Sequence, residues 1–387
     1  MPPPENGPLD LAVVGLGAAG GSLAWRLAGT ATRFAVVEPP PASSRRTQVR
    51  TWCTWGPAGP GPFGPLVAAS WSRLRVVAAD GAEVQRSLDP WRYRMLRSTD
   101  VEAAVRERLT AAGVPVVAGV VEDLVAGPAG VAVRGEGLDL LARRVLDTRP
   151  VPVPTTGRTL LLQHFLGRRI RTQDPVFDAG CVTLMDFRVP QPRGGVAFGY
   201  VLPTSAHEAL VEYTEFSPDL LDDAGYDDAW REYLHRSGIG EHEVLEEERG
   251  VIPMTDAPFP PHPVPGVFRF GAAAGAVRPS TGYAFSAVQR QADAVAAALA
   301  RGGEPVPPRP HGRRHLLMDS LVLEAVARSR LAGDELFVQL FTRNPVHRVL
   351  GFLDGSTGLA DDLRLMASSP RGPMLRTVAG RARRRSG

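Results

Sequence analysis

The chain has 387 residues, 44% of them hydrophobic, with Gly 41 and Pro 36, which fits two or three compact units of roughly 150 residues and excludes a disordered protein. The 44 cations are all Arg, are interspersed with 41 acidic residues and leave a net charge of +3, which argues against a nucleic-acid-binding surface. Two cysteines, Cys53 and Cys181, exclude a disulfide framework and fit a reducing cytoplasm. No apolar stretch reaches the roughly 18 residues of a membrane span, and residues 1–10 lack the cation of a secretory signal.

The first predicted unit begins with a strand, a glycine-rich turn and a helix, within residues 10–28. Gly15 permits a tight turn, Gly17 lets backbone N–H groups approach a pyrophosphate, and Gly20 allows the helix to pack close to the strand. The turn also contains Ala18 and Ala19. The pattern predicts a dinucleotide site, and the alternative is a glycine-rich turn of another α/β fold.

Three later features extend this unit. A second strand, residues 33–37, ends in Glu38, whose carboxylate is placed to accept hydrogen bonds from an adenosine ribose. The long Pro/Gly-rich segment that follows is more typical of FAD enzymes than of NAD dehydrogenases. Residues 98–111 predict a helix with Ser98 or Thr99 as N-cap.

Short strands follow at residues 114–117, 131–134 and 145–147. The last ends at Asp147, close to Arg149, where such a chain returns beneath its cofactor. An ordinary strand-to-loop Asp/Arg pair is the alternative for these two residues.

The middle of the chain predicts antiparallel strands at residues 185–189, 196–203 and 209–216. In the third strand Glu212 alternates with Leu210, Thr214 and Phe216 on one face, and Glu215 lies on the other face with Val211 and Tyr213. If the face of Glu212 covers a pocket, burial raises its pKa and keeps a proton available near neutral pH. Spacing alone does not separate Glu212 from Glu215, and a surface carboxylate is the alternative for either.

Two further segments of this region are predicted to have no catalytic part. Residues 222–237 predict an exposed helix, and residues 243–248 a solvated acidic run.

The C-terminal third contains a second glycine-rich turn after a short strand at residues 267–270. It runs from Gly271 through Gly275, Thr281 and Gly282 and opens a helix that ends near residue 300. A helix N-terminus favours an anion or the flavin pyrimidine edge, so two such turns indicate FAD more than NAD.

Residues 313–365 are helical in pattern, and their apolar stripe has two interpretations. It is either core packing or an apolar mouth for a lipid-soluble substrate. The stripe includes Leu321, Val322, Leu336, Phe337, Leu340 and Phe341.

Several motifs together resemble the bacterial flavin-dependent lycopene cyclases over most of the chain. Beside the first turn and Glu38 these are QHFLG (163–167), MDF (185–187), YVLP (200–203), LVEYTEFSP (210–218), ERGVIPMT (248–255) and RPSTGYAF (278–285), with MD (318–319), LF (340–341) and FL (352–353) downstream. Each motif is weak alone, but the set and its order are specific.

The resemblance implies an α/β (α+β) fold similar to p-hydroxybenzoate hydroxylase. Its expected parts are a Rossmann-like FAD-binding domain (1–160, with a return segment 256–305), an antiparallel β-sheet substrate domain (161–255) and C-terminal helices (306–387). The second flavin turn departs from related hydroxylases, because Ala272 stands where an Asp contacts the ribityl chain. That contact therefore stays unassigned.

The implied activity is lycopene β-cyclase, an isomerase (intramolecular lyase) of carotenoid biosynthesis. It converts linear ψ-ends to β-ionone rings, giving γ- and β-carotene, with reduced FAD present and NAD(P)H as reductant. The family's essential carboxylate corresponds to Glu212, and no metal is needed. Tyr200, Tyr213 and Tyr283 could stabilise a carbocation or be ordinary core aromatics.

The resemblance also bears on location and on rival functions. Because lycopene dissolves in membranes, we expect a cytoplasmic protein bound peripherally to the inner membrane face, with the basic tail 381–385 a disordered end or a contact to anionic lipid. The rivals are an FAD-dependent monooxygenase or prenyl-lipid reductase of the same fold, and a non-catalytic carotenoid-binding protein.

Overall fold

A computed structural model describes residues 7–44, 49–57, 61–153 and 159–383. These residues form three β-sheets, with helices packed on the first two sheets and at the C-terminal end. Four hydrophobic clusters fill the interior, one of which joins the second sheet to the C-terminal helices.

The first sheet is the dinucleotide-binding type predicted from the glycine turn. Its strands are β1 (Leu9–Val14), β2 (Phe34–Glu38), β8 (Val116–Ala118), β9 (Asp123–Gly127), β10 (Gly130–Gly135), β11 (Leu138–Asp147) and β17 (Val267–Arg269). They lie in the order β8-β2-β1-β11-β10-β9, with β17 also beside β11. The strands β8, β2, β1, β11 and β17 are mutually parallel, whereas β9 and β10 form an antiparallel meander.

Three helices cover this sheet and bury its apolar residues. They are α1 (Ala18–Leu27), α2 (Ser98–Ala111) and α4 (Phe285–Ala300). The predicted N-cap of α2 is wrong: the hydroxyl of Ser98 accepts a hydrogen bond from the backbone N–H of Arg50 at 2.8 Å, and Arg97 occupies the cap position. The second glycine turn also differs in detail, because a short 3₁₀ turn (Gly271–Ala274) is separated from α4 by residues 275–284.

The second sheet is larger than the three predicted strands. It contains β5 (Arg73–Val77), β6 (Glu83–Ser87), β12 (Leu160–Thr172), β13 (Cys181–Asp186), β14 (Val196–Pro203), β15 (Glu208–Ser217) and β16 (His242–Thr255), in the order β16-β12-β15-β14-β13-β5-β6. All neighbours are antiparallel except β13 and β5. Because β5 and β6 lie here, the strands of residues 1–160 are divided between sheets.

Two predictions about this sheet are wrong. The helix α3 (Asp223–Arg236) is not exposed, because Tyr226, Trp230 and Tyr233 form one buried face against the sheet. The indole of Trp230 donates a hydrogen bond to the carbonyl of Val211 at 2.9 Å. The acidic run 243–248 is part of β16, and its last residue, Glu248, is buried.

The third sheet has three strands. Its strands are β3 (Thr51–Pro57), β4 (Val67–Trp71) and β7 (Trp91–Arg97), in the order β3-β7-β4. Strand β3 contacts α4, and β7 contacts β5, so this sheet joins the two larger ones.

The C-terminal segment is helical, as its pattern predicts. The helices are α5 (Arg313–Ala327), α6 (Gly333–Arg343), α7 (Val346–Asp354), α8 (Leu359–Ser368) and α9 (Arg371–Arg383). Leu336, Phe337, Leu340 and Phe341 are buried in the core, while Leu321 and Val322 are half-buried beside an apolar cavity of about 50 Å³. Core packing therefore describes most of the stripe, and a mouth for a lipid-soluble substrate stays a prediction.

The basic tail is described only in part. Arg381 donates a hydrogen bond to the hydroxyl of Ser320 at 2.5 Å, whereas Arg384 and Arg385 lie outside the described residues. Across the described ranges, none of the helices is long and apolar enough to cross a bilayer.

Candidate active site

A cleft of about 1070 Å³ opens at the carboxyl ends of β1, β2 and β11. Of the predicted cofactor residues, Gly15, Gly17, Ala18, Ala19, Glu38 and Asp147 line it. The N-terminal ends of two helices reach it, through Ala18 of α1 and through Ala284 and Val288 at α4. Helix N-termini present unpaired N–H groups, so the cleft favours anionic ligands.

The turn is shaped by residues that have no side chain. A Cβ on Gly20 would lie 1.9 Å from the carbonyl oxygen of Gly15, and a Cβ on Gly15, where φ is +96°, would lie 2.3 Å from the hydroxyl of Thr148. Gly271 lies behind the cleft, where a Cβ would be 2.5 Å from that of Ala19. These close approaches leave backbone exposed at the end of β1, which fits a dinucleotide.

The two predicted acidic residues of the cleft already have partners. Glu38 pairs with Arg106 of α2, and Asp147 accepts hydrogen bonds from the guanidinium of Arg149 at 2.9 Å. Both carboxylates are buried at the strand ends.

The remaining three predicted cofactor residues do not line this cleft. Gly275 packs on Phe259, and Thr281 lies beside the apolar cavity of the C-terminal helices. At Gly282 the side-chain oxygen of Gln163 occupies the space that a Cβ would need, at 1.6 Å. Gln163 belongs to β12, so this loop touches the second sheet.

The second sheet presents a transverse row of residues on one face. Strand register places Tyr200 (β14), Glu212 (β15), Gly167 (β12) and Glu248 (β16) directly beside one another. Directly opposed residues of neighbouring strands point to the same face. We call this face the carboxylate face; Glu212 and Glu248 are both buried on it.

Gly167 allows the two carboxyl side chains to converge. A Cβ at this position would lie 3.2 Å from Cγ of Glu248 and 3.5 Å from Oε2 of Glu212. The Cγ atom of Glu248 and a carboxyl oxygen of Glu212 therefore both lie over Gly167, and the charge of Glu248 acts on Glu212. A methyl group at this position would require its neighbours to shift.

Burial governs the protonation of both carboxyls. Burial and, to a lesser extent, the negative charge of Glu248 raise the pKa of Glu212 to about 8, although the hydroxyl of Thr214 and the guanidinium of Arg50 oppose the shift. Burial likewise raises the pKa of Glu248 to about 7, against a 3.0 Å hydrogen bond donated by Thr51. Near neutral pH the carboxylate face therefore retains an acidic proton.

The sequence analysis missed Glu248 because it was assigned to the solvated acidic run. The sequence feature that could have identified Glu248 is its position at the start of the motif ERGVIPMT, where the acidic run ends and an apolar segment begins. Its partner across Gly167 lies 36 positions away in the chain, so no local pattern could join them.

Glu215 lies on the opposite face, as alternation predicts. It accepts a hydrogen bond from the hydroxyl of Tyr213 at 2.9 Å and lies 3.9 Å from His164. His164 also contacts the hydroxyls of Ser217 and Tyr226, each at 2.8 Å. Tyr213 therefore faces away from Glu212.

Aromatic rings connect the carboxylate face to the C-terminal glycine loop. The hydroxyl of Tyr200 contacts that of Tyr93 at 2.8 Å and donates to the sulfur of Cys53 at 3.1 Å. Trp55 stacks on Tyr93 and, with ring centroids 4.2 Å apart, on Tyr283. We call Tyr200, Tyr93, Trp55 and Tyr283 the aromatic wall.

Comparisons with solved structures find proteins of similar fold, including one solved in complex with FAD. A geranylgeranyl bacteriochlorophyll reductase-like protein of Thermoplasma acidophilum aligns with a TM-score of 0.66 at 14% identity, over 96% of this chain and 98% of that one. A variant of Klebsiella pneumoniae HpxO in complex with FAD aligns with a TM-score of 0.62 at 15% identity, over 94% and 100%. The predicted fold, similar to p-hydroxybenzoate hydroxylase, is confirmed.

Sequence comparisons narrow the relationship. A curated lycopene beta-cyclase of Pseudescherichia vulneris is 31% identical over 248 residues, a match that spans 62% of this chain and 64% of that protein. The family model described as "Lycopene cyclase protein" matches residues 10–379. The chain thus belongs to the lycopene cyclase family.

Proposed function

We propose that this protein is a lycopene β-cyclase that closes β-ionone rings at linear ψ-ends by acid/base chemistry without net oxidation or reduction. The observation that carries the proposal is Glu212, a buried carboxyl that retains its proton near neutral pH on the carboxylate face. Family membership supports a carotenoid as the substrate.

The proposed chemistry begins at Glu212. Its O–H bond breaks as a C–H bond forms at C2 of the ψ-end, which leaves a cation at C1. The C5=C6 alkene attacks C1, and loss of the C6 proton gives the ring. A carbocation needs an acid of raised pKa and protection from water, and neither a nucleophile nor a metal takes part.

The aromatic wall suits the requirement that the carbocation be protected from water. Its rings are packed against one another beside Glu212, which excludes water from this side of the site. Aromatic faces also attract positive charge, an interaction worth about 0.5–2 kcal/mol per ring. We assign Tyr200 and Tyr283 to this role; Tyr213 is on the other face.

We propose FAD in its reduced form as the cofactor of the large cleft. The residues assigned to it are Gly15, Gly17, Ala18, Ala19, Glu38 and Asp147 in the cleft lining, with Gly20 and Gly271 packed behind it. Gly275, Thr281 and Gly282 lie outside that lining, so we do not assign them to the cofactor. The cleft volume and the bare backbone of the first turn support a dinucleotide. When bound, reduced flavin supplies negative charge that stabilises a developing cation. The family resemblance supports NAD(P)H as the reductant.

We also propose that the protein binds the inner membrane face peripherally. Helix α8 exposes Leu359, Leu363 and Met366, whose spacing places them on one helical face, with side chains 62%, 56% and 50% exposed. Flotation with liposomes tests this. We expect the wild type to float with vesicles and a variant with Ser at all three positions to remain in solution; equal behaviour of the two would refute this surface.

The decisive experiment is expression in a lycopene-accumulating bacterium, followed by chromatography of the pigments. We expect the wild type to form γ- or β-carotene and Glu212→Gln to leave lycopene unchanged while retaining flavin. Glu215→Gln is the matched control, because it changes an equally buried carboxyl on the same strand and should still cyclise.

Two results would support other functions. Unchanged lycopene with a folded, flavin-loaded wild type would contradict the cyclase and favour a monooxygenase or a prenyl-lipid reductase, whose flavin turnover would be coupled to oxidation or reduction of a substrate. Pigment that copurifies with the wild type without cyclisation would indicate a carotenoid-binding protein.

A further inference from the structure

A small cavity lies beside Glu248, over the row of the carboxylate face next to Glu212. It measures about 30 Å³; its polar lining includes Arg50, Thr51, Arg97, Arg169, Glu246 and Glu248, and Val49, Met95 and Leu210 supply apolar walls. A cavity of this size has room for a water molecule, which needs about 10–15 Å³ and polar partners such as Thr51 and Glu248. Glu248 lines the cavity and Glu212 does not, so Glu248 is the carboxyl that a water there would contact.

The cavity leads toward solvent. Its outer rim is the ion pair of Arg97 with Glu246, 3.2 Å long, whose side chains are 35% and 38% exposed. Glu248, by contrast, is buried and accepts a hydrogen bond from Thr51. A proton that enters past the rim therefore meets Glu248 before Glu212.

On the basis of the proposed cyclase function, we propose that Glu248 shares one proton with Glu212 and renews it from solvent through this cavity. Glu248 acts through Glu212 and does not itself touch the substrate. It is a positioning residue for the proton, and Gly167 is the gap across which the two carboxyls interact.

Electrostatics supports a single shared proton. Two carboxylates that converge on one buried point repel each other, so full ionisation of both is unfavourable. The other titratable or charged groups around the pair come from the neighbouring strands and the segment before β3: Arg50, Cys53, Arg97, Arg169, Tyr200, Glu246 and Glu247. Arg97 and Arg169 are paired with Glu246, which leaves Arg50 as the cation that acts on both carboxyls.

The protons balance over one ring closure. One proton leaves Glu212 for C2, after which both carboxyls of the pair are charged. The pair is then the base that accepts the proton released from C6, since C2 and C6 belong to the same six-membered ring. No oxidant, reductant or co-reactant is consumed, and between turnovers the proton exchanges with water in the cavity.

The first test needs no substrate, so it stands even if lycopene is not the substrate. Infrared spectroscopy of the purified flavoprotein detects the C=O stretch of a buried protonated carboxyl as pH is raised. Removing the neighbouring charge in Glu248→Gln should lower the pH at which this band disappears by about one unit. Glu243→Gln, an exposed carboxyl of the same strand that does not line the cavity, should leave it unchanged.

The second test measures cyclisation. In Glu248→Gln we expect kcat at pH 7.5 to fall about tenfold or more with KM unchanged, and the alkaline limit of the pH–rate profile to move down with the infrared band. In D₂O the wild type should incorporate one deuteron per ring at C2. Thr51→Val, a milder change, should shift the alkaline limit in the same direction by less.

The proposal is overturned if Glu248→Gln keeps the wild-type infrared titration and pH–rate profile, or if kcat falls while neither moves. Should Glu248→Gln fail to fold, Thr51→Val decides alone: an unchanged titration in that variant also refutes the shared proton. If the wild type shows the infrared band but does not cyclise lycopene, the proposed function is contradicted. The proposal that Glu212 and Glu248 share a proton is not.

Discussion

The two glutamates of β15, Glu212 and Glu215, are equally buried on one strand, but their carboxyl groups contact different partners. Glu212 and Glu215 are 7% and 6% exposed, so burial does not distinguish them. Glu215 faces hydroxyl and imidazole groups beneath α3, whereas Glu212 faces a second carboxylate across Gly167. The two faces of β15 therefore give the two carboxyls different partners, and the charge of Glu248 adds to the effect of burial on the pKa of Glu212.

The largest expected effect is that substitutions of Glu212 and of Glu215 change the free energy of unfolding in opposite directions. Because burial raises the pKa of Glu212 from 4.5 to about 8, the wild-type free energy of unfolding falls as pH rises from about 4.5 to about 8. At pH 8 Glu212→Gln should therefore be more stable than wild type, by a few kcal/mol in order of magnitude. Glu215→Leu should be less stable by about 1–3 kcal/mol, because it leaves the buried Tyr213 hydroxyl without its acceptor.

Chemical denaturation at pH 4.5 and pH 8 measures both effects. The advantage of Glu212→Gln should fall to about 0.4 kcal/mol at the lower pH, where the wild-type carboxyl is protonated in the folded state and half protonated in the unfolded state. If Glu212→Gln has the same stability relative to wild type at both pH values, the carboxyl is not held protonated by the fold.

A medium effect is expected when the gap between the carboxyls is filled. The methyl group of Gly167→Ala should push Glu212 and Glu248 apart and lower kcat by about tenfold, equivalent to about 1.4 kcal/mol. Gly240→Ala is the control, since a Cβ there meets no atom within 4 Å. In a Glu248→Gln background the same methyl should cost less, and equal costs in both backgrounds would argue against a coupled pair.

The smallest effect concerns one hydroxyl on each face. Thr214 donates a hydrogen bond to Glu212, which lowers the pKa of that carboxyl. Thr214→Val should therefore raise the alkaline limit of the pH–rate profile by roughly half a unit. Ser217→Ala removes a hydroxyl that contacts His164 on the other face and should not move it. Identical pH–rate profiles for Thr214→Val and Ser217→Ala would contradict the prediction that only the hydroxyl beside Glu212 affects its pKa.

Local sequence patterns predicted well wherever a structure depends on residues close in the chain. The strand, glycine turn and helix from Leu9 to Leu27 follow from apolar spacing and from glycines at positions that cannot accept a Cβ. Alternation also separated the two faces of β15 correctly.

The elements that the sequence analysis missed or predicted wrongly have a common physical cause. The sequence analysis assigns no element to residues 67–97, where β4, β5, β6 and β7 are short and β6 is largely polar. Helix α3 has too few apolar residues to predict burial, yet Trp230 and its aromatic neighbours cover the sheet. In each case the partner that buries the segment is distant in the chain.

The sequence by itself determined the family and the type of fold, because motifs and hydrophobic periodicity are local properties, and the family resemblance selected Glu212 as the acid residue that we propose. Only the tertiary structure decided that Glu248 joins Glu212, that Gly167 leaves room between them, and that Tyr213 points away. Those relationships depend on the register of β12, β15 and β16, which long-range hydrogen bonding sets and no local spacing encodes.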